Sequence, residues 1–156
     1  IPKQAATPAQ AYTAKPAAQT TASRSGSSAA KHNAAASKLS AEDLDLLAKM
    51  VYGEARGESY EGQVAVAAVV LNRVKSPSFP NTVKGVLFQP GAFTAVTDGQ
   101  FYLTPSDTAY KAAKDAAAGW DPTGGALYYW NPAKTTNKWI WSKPIIKQIG
   151  SHVFAK

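Results

Sequence analysis

Cysteine is missing from all 156 residues, which excludes disulfides, thiol nucleophiles and thiolate metal sites and leaves the redox compartment open. Histidine is scarce. His32 and His152 cannot build a histidine-based metal centre without several carboxylates in support. Long apolar runs are lacking as well: the longest, Val64 to Leu71, is eight residues, far short of a bilayer span. There is no basic-then-apolar leader, no Gly-rich phosphate loop and no serine nucleophile elbow. With Ile1 in first place, the sequence reads as a processed chain or a piece from which a leader or another domain has gone. The length allows one domain at most, with a modest core.

Negative charge is absent from residues 1–38, which hold Lys3, Lys15, Arg24, Lys31 and Lys38. Of the net +7, the remaining 39–156 carry twelve basic and ten acidic residues, a net +2. A basic flexible tail suits a polyanion, whether nucleic acid, anionic lipid or acidic wall polymer. A solvated linker kept soluble by its charge is the plainer reading, and the near-neutral remainder argues against nucleic acid. Rich in Ala, Ser, Thr, Pro and Gln, with Tyr12 its only aromatic, the segment 1–38 cannot bury enough apolar area to offset its ordering entropy. It reads as a disordered linker, and 39–156 as the folded domain.

Order begins at Leu39-Ser40. Ser40 and Asp43 form an imperfect capping box, and Leu44, Leu47, Met50 and Val51 share one stripe, which predicts a helix from about Ala41 to Tyr52 or Glu54. Ser59 caps a second helix that stops at Val74, before Ser76-Pro77. Its run Val64-Ala65-Val66-Ala67-Ala68-Val69-Val70-Leu71 has no polar face and belongs inside a domain. Asn81 is expected to cap a short helix, Thr82 to Phe88. Asp98-Gly99, between Ala92–Thr97 and Gln100–Leu103, signals a hairpin. Ser106 opens a helix from Asp107 to Ala118, closed by Gly119. A strand, Ala126 to Trp130, a polar loop from Lys134 to Lys138 and an aromatic segment Trp139-Ile140-Trp141 follow. A closing hairpin, Ile145–Ile149 and His152–Phe154, is expected against the Tyr128 strand. Helices first and a small antiparallel sheet after them make an α+β arrangement.

The chemistry is left to carboxylates. Glu42, Asp43 and Asp45 suit helix capping, Asp107 and Asp115 an exposed helix, and Asp98 and Asp121 turns. Glu54, Glu58 and Glu61 remain, and only Glu54 adjoins the most apolar part of the chain. Apolar surroundings raise a carboxylic acid's pKa and prepare it to donate a proton at neutral pH, as to a glycosidic oxygen. The plain alternative is a salt bridge to Arg56 or Lys49, or a helix-end carboxylate in water. Phe93, Tyr102, Tyr128, Trp130, Trp139 and Trp141 offer faces for sugar rings, with Gln63, Gln89 and Asn131 as hydrogen-bonding partners; packing in the core is the bland alternative for the aromatics.

The run from Val51 through Tyr52-Gly53-Glu54-Ala55-Arg56-Gly57-Glu58 to Val74 resembles the signature of the SleB/CwlJ cell-wall hydrolases, the spore cortex-lytic enzymes of spore-forming Bacilli. The resemblance continues through Phe88–Val96, Asp98-Gly99-Gln100, Ala126–Pro132 and Ile149–Phe154, and so covers 39–156. The family pattern usually has Pro where this chain has Ser59. The upstream linker is similar to that joining a peptidoglycan-binding domain to the catalytic domain in SleB-like members.

The resemblance implies a lysozyme-like α+β domain exported to the spore envelope, acting during germination on the muramic-δ-lactam-containing glycan of cortex peptidoglycan. It implies lytic transglycosylation between N-acetylmuramic acid and N-acetylglucosamine, Glu54 as catalytic residue, no metal and no cofactor, a monomer, and a YpeB-like protein partner. One carboxylate is enough for that reaction, because the muramoyl 6-hydroxyl is the nucleophile. Two rivals stay open: a muramidase or glucosaminidase that uses water, with Glu58, Glu61 or Asp98 as second carboxylate, and a non-catalytic glycan-binding module.

Overall fold

The computed structural model describes residues 39–135 and 138–156; the expected linker 1–38 and part of the Lys134–Lys138 loop lie outside them. Helix α1 spans Ala41–Ala55, and Ser40 Oγ caps it by accepting from the Asp43 N–H at 2.9 Å. Helix α2 spans Tyr60–Lys75, capped by Ser59 Oγ, which accepts from the Gly62 N–H at 3.1 Å. Every residue from Gly62 to Val70 is buried, as a helix without a polar face requires. Helix α3 is shorter than expected, Val83–Leu87, and its cap is Thr82, not Asn81, because the Thr82 hydroxyl is the one that reaches the Gly85 N–H.

The expected hairpin across Asp98-Gly99 does not form. Its arms are a one-turn helix α4, Thr94–Thr97, and a 3-10 turn, Gln100–Tyr102. The Asp98 carboxylate accepts from the Gln100 N–H, and the Asp98 N–H donates to the Thr94 carbonyl. Both bonds fold the backbone on itself, where a hairpin would pair it across. Burial of Phe93, Ala95 and Phe101 in the main core supplies the tertiary reason.

Helix α5, Asp107–Ala117, lays its stripe Ala109, Ala112, Ala113 and Ala116 against α1 and α2. Two hydroxyls pin it: Tyr110 donates to Asp45 of α1, and Tyr60 of α2 donates to Asp115 at 2.5 Å. Asp45 and Asp115 are therefore interhelix acceptors, a role beyond the capping and exposure expected of them. The short helix α6, Lys138–Trp141, precedes the closing hairpin. Strands β1 (Tyr128–Trp130), β2 (Ile145–Ile149) and β3 (His152–Ala155) form the antiparallel sheet β1-β3-β2, as expected, with Tyr129 opposite Phe154 and Trp130 opposite Val153.

Strand alternation divides this sheet. Tyr129 and Phe154 join the main core of α1, α2 and α5. Tyr128, Trp130, Val153 and Ala155 gather around Ile140 of α6 in a second, small core on the other face.

Candidate active site

Glu54 stands in the last turn of α1, beside Gly53. A side chain at Gly53 would bring its Cβ within 2.8 Å of Ala95 Cβ, so glycine is what lets the loop carrying α4 approach α1. That approach delivers the Ala95 N–H to Glu54 Oε2 at 2.7 Å. From the opposite side Tyr129 Oη donates to Oε1, also at 2.7 Å. Helix, loop and sheet thus converge on one half-buried carboxyl. Burial raises its pKa above the usual carboxylate value; the two donors and a smaller attraction from Arg73 act the other way without overcoming it.

Tyr129 is itself fixed. Its ring stacks on Phe93, with centroids 6.4 Å apart, and takes His152 edge-on at 5.1 Å. Burial and the Glu54 charge beside it push the hydroxyl well above its ordinary pKa, so it remains a donor. Buried Arg73 supports the same wall: its Nε donates to the Leu127 carbonyl at 2.8 Å, and its guanidinium lies over Phe79, Phe93 and Tyr128.

The salt bridges considered for Glu54 are not made. Lys49 pairs with Asp45 at 3.2 Å, while Arg56 donates to the Tyr52 carbonyl and to Gln100 Oε1, tying the end of α1 to the 3-10 turn. Glu58 accepts from the Ser151 N–H at 3.2 Å and from the Ser151 hydroxyl. Partial burial would raise its pKa, yet those bonds, with His152 and Lys134 nearby, hold it below the usual value. Its Oε1 occupies the space a side chain at Gly150 would need, so Glu58 clamps the β2–β3 turn to the α1–α2 connection. Glu61 faces Lys147 at 3.8 Å, and Asp98 accepts from the Gln100 N–H in its own turn while its charge adds to the upward push on the Glu54 pKa.

Of the other residues singled out for substrate binding, Phe93 is buried behind Tyr129, and Gln63 donates to the Glu58 carbonyl at 3.1 Å. Gln89 is half-buried in the approach to α4, with no hydrogen bond to its buried Oε1. Asn131 Oδ1 accepts from the Ala133 N–H at 2.9 Å and shapes the turn after β1. Tyr128 packs against both cores, under the Arg73 guanidinium and beside Phe79, while Trp130 lies in the second core; at 2% exposure, its ring presents no open face to a sugar. Sequence reasoning passed over Tyr129, Ala95 and Gly53. For Tyr129 a signal was present, since alternation in Tyr128-Tyr129-Trp130 puts the middle ring alone on the other face.

The model of the family described as Cell Wall Hydrolase matches residues 57–155. The chain belongs to that family. Because the match begins three residues after Glu54, Glu54 stands on its geometry. A spore cortex-lytic enzyme of Bacillus cereus is 67% identical over 117 residues, covering 75% of this chain and 45% of the relative. That of Bacillus subtilis is 61% identical over 114 residues, 73% of this chain and 37% of the relative. The chain thus spans less than half the length of these relatives. Cell wall hydrolase CwlJ of Bacillus subtilis is 30% identical over 119 residues, 72% of this chain and 83% of the relative. Among solved structures, the catalytic domain of the germination-specific lytic transglycosylase SleB from Bacillus anthracis superposes with a TM-score of 0.73 at 65% identity, covering 76% of this chain and 97% of that one. The expected lysozyme-like α+β architecture is the one these domains share.

Proposed function

We propose that this member of the cell wall hydrolase family is the catalytic part of a lytic transglycosylase that cuts spore cortex peptidoglycan between N-acetylmuramic acid and N-acetylglucosamine. The observation that supports it most is the Glu54 carboxyl, held through both oxygens at 2.7 Å with its pKa raised by burial, while Glu58 and Glu61 are bonded to Ser151 and Lys147 and Asp98 accepts from the Gln100 N–H.

The protonated carboxyl gives its proton to the glycosidic oxygen as the bond to the muramoyl C1 breaks. The departing sugar leaves as an alcohol, and positive charge develops at C1 and the ring oxygen. The Tyr129 hydroxyl and the Ala95 N–H are already aimed at the carboxylate that forms, so its charge needs no reorganisation of the site. The muramoyl 6-hydroxyl then attacks C1, closing the 1,6-anhydro ring, and its proton passes to Glu54. One group serves as acid and then base, where a glycosidase that uses water needs two carboxylates at a defined separation.

Mass spectrometry of digested cortex tests this reading. Anhydro-muramic ends are expected, and ordinary reducing ends in their place would make the enzyme a muramidase or glucosaminidase. Glu54→Gln should bind cortex and release no fragments; release at the wild-type rate would sink the catalytic role. The names of the relatives support action in the spore cortex, and hence export to the spore envelope. The resemblance also supports a YpeB-like partner, which co-purification from spores tests.

A further inference from the structure

The catalytic reading leaves a second cluster of aromatics unused. Trp139 and Trp141 flank Ile140 on α6; Ile140 is buried in the second core, while the indoles are 43% and 46% exposed. Tyr128 meets Trp139 edge-on, with centroids 6.0 Å apart at 82°. Lys143 Nζ lies 4.3 Å from the centroid of Trp139 and 4.9 Å from that of Tyr128, so its ammonium is held on a shelf of two rings. Exposed aromatics at this density mark a contact surface.

Charge says what the surface takes. Residues 122–156 contain Lys134, Lys138, Lys143, Lys147 and Lys156 and no acidic residue, whereas 39–121 contain seven basic and ten acidic residues. The domain is therefore polarised, +5 on the segment that builds the sheet and α6 against −3 on the helical part. Lys147 is engaged by Glu61 and the Pro122 carbonyl; Lys143 makes no ion pair among the described residues. The chain's own residues 1–38, at +5, carry the wrong sign to cover this face.

We propose that Tyr128, Trp139, Trp141 and Lys143 form a second binding site for the peptidoglycan polymer, outside the catalytic centre. Trp141 takes the apolar face of a pyranose ring, and Lys143, set over the Trp139 ring, takes a carboxylate of a stem peptide. This rests on the reading of the substrate given above. Indoles alone would suit a neutral glycan and lysines alone any polyanion; fixing the ammonium on the rings matches a polymer whose acidic peptides branch from its sugars. The position suits retention. Tyr128 adjoins Tyr129 on β1, so one strand links this cluster to the Glu54 site.

The test uses the 156-residue chain carrying Glu54→Gln and insoluble cortex peptidoglycan, native or with its carboxylates amidated, with binding read by sedimentation at 4 °C. Amidation should weaken binding about ten-fold. Lys143→Gln should weaken binding to the native polymer by a similar factor and lose no more on amidation. Trp141→Ala should weaken binding to both preparations. Equal binding to native and amidated polymer, or a Lys143→Gln protein that still senses amidation, overturns the proposal. Binding to phosphatidylglycerol vesicles as tight as to the polymer assigns the face to a lipid surface and overturns it too. If Trp141→Ala unfolds in a thermal melt, Lys143→Gln carries the test alone. Fragment release by the Glu54→Gln background would sink the Glu54 reading only, since retention at 4 °C is read independently of cleavage.

Discussion

The opposed influences on Glu54 make its pH behaviour predictable in sign. Burial favours the neutral acid, while the Tyr129 hydroxyl favours the carboxylate. Removing that hydroxyl leaves burial less opposed, so in Tyr129→Phe the pKa rises further and the acid keeps its proton to higher pH. The alkaline limb of the pH–rate profile should then move upward. The carboxylate formed after proton donation has lost a donor, so the maximal rate should fall roughly ten- to a hundred-fold. A pH–rate profile on soluble cortex fragments checks both. An unmoved limb with a lower rate would reduce Tyr129 to a packing residue. At this scale Glu54 was legible as one candidate acid among Glu54, Glu58 and Glu61, and the family resemblance pointed to it. Tyr129 was not, because its importance comes from a contact 75 positions away in the chain.

At the scale of elements, capping chemistry and apolar runs carried most of the fold. Ser40, Ser59 and Ser106 each accept the N–H expected of a helix cap, and the closing hairpin pairs with the Tyr128 strand. The Asp98-Gly99 region misled because local turn chemistry is shared by hairpins and helix ends, and burial of Phe93 and Phe101 decided between them. The same loop sets a sharp condition on α1. Replacing Gly53 inside a helix with alanine gains about 1 kcal/mol in helix propensity. The new Cβ, 2.8 Å from Ala95 Cβ, pushes away the loop that supplies the N–H to Glu54. Gly53→Ala should therefore melt within a few degrees of wild type yet lose at least ten-fold in rate, because sub-ångström misplacement at a reacting group is costly. Parallel calorimetry and fragment release measure the two; a full rate would show that the loop yields without disturbing Glu54.

At the scale of the molecule, residues 1–38 are rich in Ala, Ser, Thr, Pro and Gln with Tyr12 their only aromatic, which gives them too little apolar surface to add to a core. Leu39 packs on the main core from the edge. A chain cut to 39–156 should keep the full fold and catalytic site and lose five of the seven net charges. Its melting temperature should match that of the 156-residue chain, and its rate on soluble fragments should be unchanged. Cutting two residues further, to Ala41, removes the Ser40 cap and the Leu39 contact. The cap alone is worth about 1 kcal/mol, or roughly 3–5 °C in a domain of this size. Scanning calorimetry of the two truncations places the boundary: equal melting temperatures would move it past Ser40, and a loss already at Leu39 would show that residues 1–38 contribute to the folded state. Retention on cortex at low salt then separates linker from tail. The linker reading requires 39–156 to be held as tightly as the longer chain, through the Glu54 site and the Lys143 shelf alone, whereas a tail that grips acidic polymer would take much of the binding with it.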